Sequence, residues 1–215
     1  MFKLVLFDFD GTTLDSDKML IATFFDLYKK YYPERNYTIE HILTFSGPPM
    51  ALTLKQEFPD VPFDEIMGEY MRISTYYYPL TIKLYDGVED ILLELKRRGI
   101  RTGLITSKSK EMTNYVFDLF SLHGYFDYVL CADEVKNTKP DPEGIYLAME
   151  HFNIINKEDV LYIGDSKYDY LASKNAGIRF ALVDWSPRKD ELVDKCDYLI
   201  TSFDNFFKEV DDEKN

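Results

Sequence analysis

Several things are scarce in this sequence. Cysteine occurs only at Cys131 and Cys196, and histidine only at His41, His123 and His151. No Cys/His cluster has metal-ligand spacing, so nothing points to a zinc site or a disulfide scaffold. The two thiols are expected to be ordinary core or half-buried residues. No apolar run is long enough to span a bilayer. The N-terminus lacks the basic region, apolar stretch and cleavage site of a secretory signal. A reducing cytoplasm is the expected setting. Positive charge is also short, with 25 Lys and Arg against 38 Asp and Glu and a formal net charge of −13. That balance argues against general binding to nucleic acid or to an anionic membrane. An anionic ligand would need a local positive site. There is no repeat or low-complexity segment beyond a short charged tail, "EVDDEKN", expected to be frayed. No feature specifies an oligomeric state.

What is present is apolar mass in an ordered pattern. Hydrophobic residues make up 46% of 215, enough for one large domain or a core with an insertion. The chain opens "MFKLVLFDFDGTTLD". Residues 2–7 read as a buried strand, followed by two acids at i and i+2. In extended chain Asp8 and Asp10 point to the same side, where they repel and lose hydration. A hard dication taking oxygen ligands would neutralise them.

From about residue 82 the pattern alternates. "DGVEDILLELKRRG" reads as a helix capped by Asp86 and ended by Gly99. "RTGLIT" follows as a strand, "KEMTNYVFDLFSL" as a helix and "FDYVLCA" as a strand. "DPEGIYLAMEHF" is a helix with Asp141 at its cap and Pro142 in its first turn. "DVLYIGD", "RFALVDW" and "DYLIT" are strands, with "KYDYLASKNAG" and "FDNFFKEV" as helices. Such alternation predicts an α/β fold, a doubly wound, Rossmann-like parallel sheet with helices on both faces. Residues 16–79 break the rhythm with helical patterns only. They are expected to form an inserted helical cap that starts after Leu14 and ends at Pro79. Residues 1–15 and 80–215 would form the catalytic core. The tyrosines at 76–78 fit either a cleft wall or plain helix packing, and packing is the preferred reading.

In open parallel sheets ligands sit beyond the carboxyl ends of the strands. Four such ends carry polar residues: Asp8 and Asp10, then Thr106 with Ser107, then Lys139 in "NTKPDPEG", and finally Asp165 with Asp169 in "LYIGDSKYD". Taken singly, Asp165 and Thr106 also fit plain helix caps, and Lys139 a solvated loop. Their conjunction on one rim is what carries weight. "DFDGT", Thr106, "KPDP" and "GDSKYD" resemble, in order, the four motifs of the haloacid dehalogenase-like superfamily. The layout is similar to its bacterial phosphoglycolate phosphatases and a related group of pyrophosphatases.

The resemblance implies a Mg²⁺-dependent phosphatase acting on a small phosphorylated metabolite. Asp8 would be the nucleophile, forming an aspartyl phosphate, and Asp10 the general acid and base. Mg²⁺ would be held by Asp8, the carbonyl oxygen of Asp10 and Asp165. Thr106, Ser107 and Lys139 would bind phosphoryl oxygens. Asp169 would orient Lys139 or a metal-bound water. Gly11 would let the chain turn close to the phosphate, with Thr12 as a further contact. Lys55 and Arg72 are cap charges that fit either a leaving-group contact or a solvated face.

An EF-hand loop also begins D-x-D, but Thr13 and Met19 stand where it needs glycine and glutamate. A phospho-accepting receiver is the non-enzymatic alternative, although receivers lack the helical insertion. Asp10 excludes the family's dehalogenases and phosphonatases. Its phosphomutases are the runner-up, but Leu20 stands where their cap histidine would fall, and Pro48 and Pro49 follow Gly47 in place of their basic residue. The three histidines are expected on the surface or in the core.

Overall fold

The computed structural model describes residues 1–211 of the chain. Its centre is a six-stranded sheet. The first strand, β1 (Leu4–Phe7), is fully buried and pairs in parallel with β4 (Arg101–Ile105) on one side and β6 (Val160–Gly164) on the other. Outward from these lie β5 (Tyr128–Leu130) beside β4, and β7 (Arg179–Val183) then β8 (Tyr198–Ile200) beside β6. Every pairing is parallel, in the order β5-β4-β1-β6-β7-β8. The chain reverses its winding direction at β1, so a crevice opens at the carboxyl end of that strand.

Side chains alternate across the sheet, as the pleat requires. Val5 and Phe7 face a core shared with α5 (Val88–Arg97), α6 (Lys110–Phe120) and α9 (Phe206–Asp211). Leu4 and Leu6 face a second core under α7 (Glu143–His151) and α8 (Lys167–Ala176). This is the doubly wound α/β arrangement that the alternation predicts. Cys131 is buried and Cys196 half-buried, and both are free thiols. None of the described helices is long and apolar enough to cross a membrane.

The insertion is built from α1 (Asp17–Tyr31), α2 (Ile39–Leu43), α3 (Met50–Glu57) and α4 (Phe63–Thr81). They enclose a third cluster, including Phe24, Leu27, Phe45, Leu54, Phe58 and Ile73. The chain enters and leaves it through a short antiparallel ribbon of β2 (Leu14–Asp15) and β3 (Lys83–Leu84). That ribbon was not expected. Nor does Pro79 end the helix, which runs on to Thr81. Pro79 has no N–H to donate to the ladder, and the helix carries it within its last turn.

Other boundaries also differ. Gly87, in left-handed conformation, stands at the start of α5 with no side-chain cap, so Asp86 does not cap it. Asp141 does accept a hydrogen bond from the Glu143 amide at 2.9 Å, one residue ahead of the cap position held by Pro142. The chain from Phe203 begins with a 3₁₀ turn before α9. Of the tail expected to fray, Glu209 to Asp211 belong to α9, and residues 212–215 lie outside the described residues.

Candidate active site

Asp8 follows β1 directly and is 4% exposed. Lys139, 7% exposed, reaches it from the loop before α7. Its Nζ donates to Asp8 Oδ1 at 2.7 Å, to Asp169 Oδ1 at 2.6 Å, to Tyr162 Oη at 3.2 Å and to the Ile105 carbonyl at 3.3 Å. The ammonium is thus shared between the ends of β1 and β4, the middle of β6 and the first turn of α8. Burial opposes its charge, but Asp169 and Asp8 raise its pKa well above the ordinary lysine value.

Asp169 is held from its other side. Its Oδ2 accepts from the Ser166 amide at 3.0 Å and from Ser166 Oγ at 2.6 Å. Ser166 Oγ in turn accepts from the Asp169 amide, a reciprocal capping box that starts α8. Ser166, and not Asp165, is therefore the helix cap. Gly164 leaves room for this arrangement, since a Cβ there would lie 2.6 Å from Asp169 Cγ.

Asp165 is completely buried. Oxygens of Asp8, Asp165 and Asp169 lie within 4.8 Å of one another. Burial pushes the Asp165 carboxyl up to about 6, with Arg188 working against the rise and Asp169 adding to it. Asp8 is raised well above the ordinary value by burial, and further by Asp169 and Asp165, against the pull of Lys139. Such a cluster can hold a cation. Asp165 Oδ1 is buried without a hydrogen-bond partner, as is Asp10 Oδ1, so both offer a free oxygen. Asp169 has its oxygens engaged by Lys139 and Ser166, which suits positioning rather than ligation.

Gly11 has φ of +81°, where a side chain is strained. A Cβ there would fall 2.6 Å from Asp165 Cγ. The close approach that requires glycine is thus to the acid cluster. Thr12 is fully buried and its hydroxyl has no hydrogen-bond partner. Neither residue lines the cavity above the acids, whereas Asp8, Asp10, Thr106 and Ser107 do. Ser109, and not Thr106, caps α6. Ser107 Oγ donates to the Gly47 carbonyl at 2.9 Å, which ties the core rim to the loop between α2 and α3.

Two cations at the site escaped the sequence reading. Lys108 Nζ lies 3.0 Å from Asp10 Oδ2 and donates to Tyr78 Oη at 2.6 Å. Burial opposes its charge, but Asp10, Tyr78 and Tyr70 raise its pKa above the ordinary value. Arg188, from the loop after β7, forms an ion pair with Asp165 and donates to the Leu43 carbonyl of α2 at 2.8 Å. A single charge in a loop has no periodicity, so its partner is not legible before the fold is known. Tyr78 also lines the cavity, against the preference for plain packing. Tyr77 turns away to Asp26 at 2.8 Å, and Tyr76 is exposed. Arg72 pairs with Glu69 and Lys55 lies over the Phe63 ring, so both cap charges sit on exposed faces away from the cavity.

The comparisons with known proteins agree with this geometry. Residues 5–183 match the family described as haloacid dehalogenase-like hydrolase. The pyrophosphatase PpaX of Halalkalibacterium halodurans is 30% identical over 200 residues, covering 92% of each chain. PpaX of Anoxybacillus flavithermus is 32% identical over 182 residues, covering 85% of this chain and 83% of its own. A haloacid dehalogenase-like family protein of Streptococcus pneumoniae has a similar fold, with a TM-score of 0.81 at 20% identity. It covers 96% of this chain and 97% of its own.

Proposed function

Because the chain belongs to the haloacid dehalogenase-like hydrolases, we propose that it is a Mg²⁺-dependent phosphatase working through an aspartyl phosphate on a small phosphorylated metabolite. The observation that carries this reading is Asp8. It is a buried carboxylate at the sheet's switch point, held on Oδ1 by Lys139 and lining the cavity. With Oδ1 engaged, Oδ2 attacks phosphorus, the bond to the leaving oxygen breaks, and Asp10 gives that oxygen a proton. A water then attacks the phosphorus of the aspartyl phosphate and gives its proton to Asp10. The acyl–phosphate link breaks and Asp8 is restored.

Lys139 reduces the repulsion between Asp8 and a phosphoryl dianion, and Asp169 fixes where Lys139 sits. Thr106 and the backbone at Ser107 would take phosphoryl oxygens at the cavity wall. The free buried Oδ1 of Asp165 supports a cation held by Asp8, Asp165 and the Asp10 carbonyl. Mg²⁺ would supply charge neutralisation of the acids and of the transferring group. Residues 16–79 act in this reading as a cap over the site, joined through the β2–β3 ribbon. Leu20 lines the cavity where a mutase would carry histidine, and no described histidine lines it, which favours hydrolysis.

The two acids separate the steps. Asp8→Asn should form no phosphoenzyme and lose turnover with every substrate. Asp10→Asn should lose roughly 10²–10⁴ in rate on alkyl phosphates. With nitrophenyl phosphate, whose leaving group needs no proton, it should give a burst of nitrophenolate and keep phosphate on Asp8. Intact-mass spectrometry of the quenched protein reads this directly. Two variants equally dead, neither carrying phosphate, would overturn the division of roles.

A further inference from the structure

The cavity above Asp8 and Asp10 has a volume of about 450 Å³. Protein interiors are otherwise close-packed, and this space falls in the range of about 300–1,000 Å³ that takes organic ligands. Its lining is mixed. Asp8 and Asp10 are joined by hydroxyl groups, those of Ser16, Ser46, Thr106 and Ser107 among them. The apolar part of the lining includes Met19, Phe45, Met50, Met67, Met71 and Met112. Methionine thioethers are apolar, polarisable and able to adapt to the shape of an organic group.

Charge is distributed unevenly. None of the cavity-lining residues contributed by α1–α4 and their connections is charged. The described cations of that subdomain are placed elsewhere. Lys30 and Arg72 both meet Glu69, Lys55 lies over Phe63, Arg35 lies over Tyr32, and Lys18 and Lys29 are exposed. Among the described residues Lys108 is the one cation lining the cavity; it belongs to the core and meets Asp10 and Tyr78. The remaining charged lining residue, Asp133, is an acid.

We infer that the leaving group this site accepts is uncharged and predominantly apolar, such as an arylalkyl or aryl alcohol, and is neither a second phosphoryl group nor a carboxylate. A second anion placed among the methionines would lose hydration and find no cation from α1–α4 to replace it. An apolar group placed there would leave water for a wall of matching polarity. The inference rests on the phosphatase reading and narrows its substrate class. It also separates this chain from the pyrophosphatase activity for which its relatives are named.

Three substrates test it on the whole protein with Mg²⁺: 2-phenylethyl phosphate, phosphoglycolate and pyrophosphate, with phosphate release as the readout. The first two leave as alkoxides, so a difference between them reports mainly on binding of the leaving group. The expected kcat/KM for 2-phenylethyl phosphate is at least tenfold above either anion, with the difference carried chiefly in KM. Met67→Lys and, separately, Met71→Lys supply the missing cation. Each should lower that preference at least threefold by improving the two anionic substrates. Pyrophosphate or phosphoglycolate preferred by the wild type, or equal use of all three, overturns the inference while leaving a phosphatase. Release from none of the three, nor from nitrophenyl phosphate, overturns the phosphatase reading itself.

Discussion

Metal-free protein should become less stable as pH rises from about 4.5 to 6.5, with Asp165 as a principal cause. Its carboxyl titrates at about 6 in the fold against an ordinary value of 3.8. A folded-state value above the unfolded one means that the native state binds more protons in between. Stability therefore falls as pH rises through that window. At about 1.4 kcal/mol per pKa unit the whole shift is worth about 3 kcal/mol, of which about 2 kcal/mol is lost above pH 4.5. Asp8, also raised by burial and by its acidic neighbours, acts in the same direction. Glu69 and Glu94, lowered to about 2 by hydrogen bonds from Arg72 and Arg97, act in the opposite direction. Their effect lies below the ordinary glutamate range and leaves the window clear. For a chain of this length, 2 kcal/mol corresponds to roughly 4–8 °C in melting temperature. The assay is thermal melting in chelator across pH 4.5–7.5, for wild type and Asp165→Asn. The variant's profile should be flatter because it lacks the titrating group. Excess Mg²⁺ should restore the wild type more at pH 7.5 than at pH 5, where a proton competes for the same oxygens. Parallel profiles for the two proteins, or a Mg²⁺ effect independent of pH, would refute the reasoning.

Two substitutions probe the scaffold of the site. Gly11→Ala places a Cβ against Asp165 in a left-handed residue. It should cost at least about 1–2 kcal/mol from the backbone alone, read as a lower urea midpoint. Full retention of stability would mean that the contact is easily relieved. Lys139→Met leaves Asp8 and Asp169 buried without their shared cation, a loss of about 3–5 kcal/mol near neutral pH. The deficit should shrink on acidification as one carboxyl takes a proton, and a pH-independent deficit in chemical denaturation would argue against that cause.

The sheet was legible because its strands are short apolar runs set between amphipathic helices, and that period is dictated by burial. Asp8, Asp165 and Lys139 were legible because chain order and strand ends together locate the rim. The β2–β3 ribbon was not, since two residues per strand carry no period. Pro79 was a poor boundary marker because proline disfavours a helix without forbidding it, and α4 runs through it to Thr81. Lys108 and Arg188 were invisible for a different reason. Each is an ordinary basic residue in a polar loop, and only tertiary placement puts one beside Asp10 and the other beside Asp165. Tyr162 reads as one more apolar strand residue, yet its hydroxyl meets Lys139 inside the core.

The position of β1 has a consequence for how the chain is assembled during synthesis. This strand emerges first, yet its partners begin at Arg101 on one side and Val160 on the other. Until both have been made, four apolar residues have no native sheet to join, and completing it requires closure of long loops. The α1–α4 cluster has no such wait, because its contacts lie within one contiguous stretch. Helical collapse can precede the sheet, leaving "LVLF" as the segment most open to aggregation on the ribosome. Lys3, exposed beside it and paired with Asp159 only in the finished fold, is a charge at the edge of that hazard.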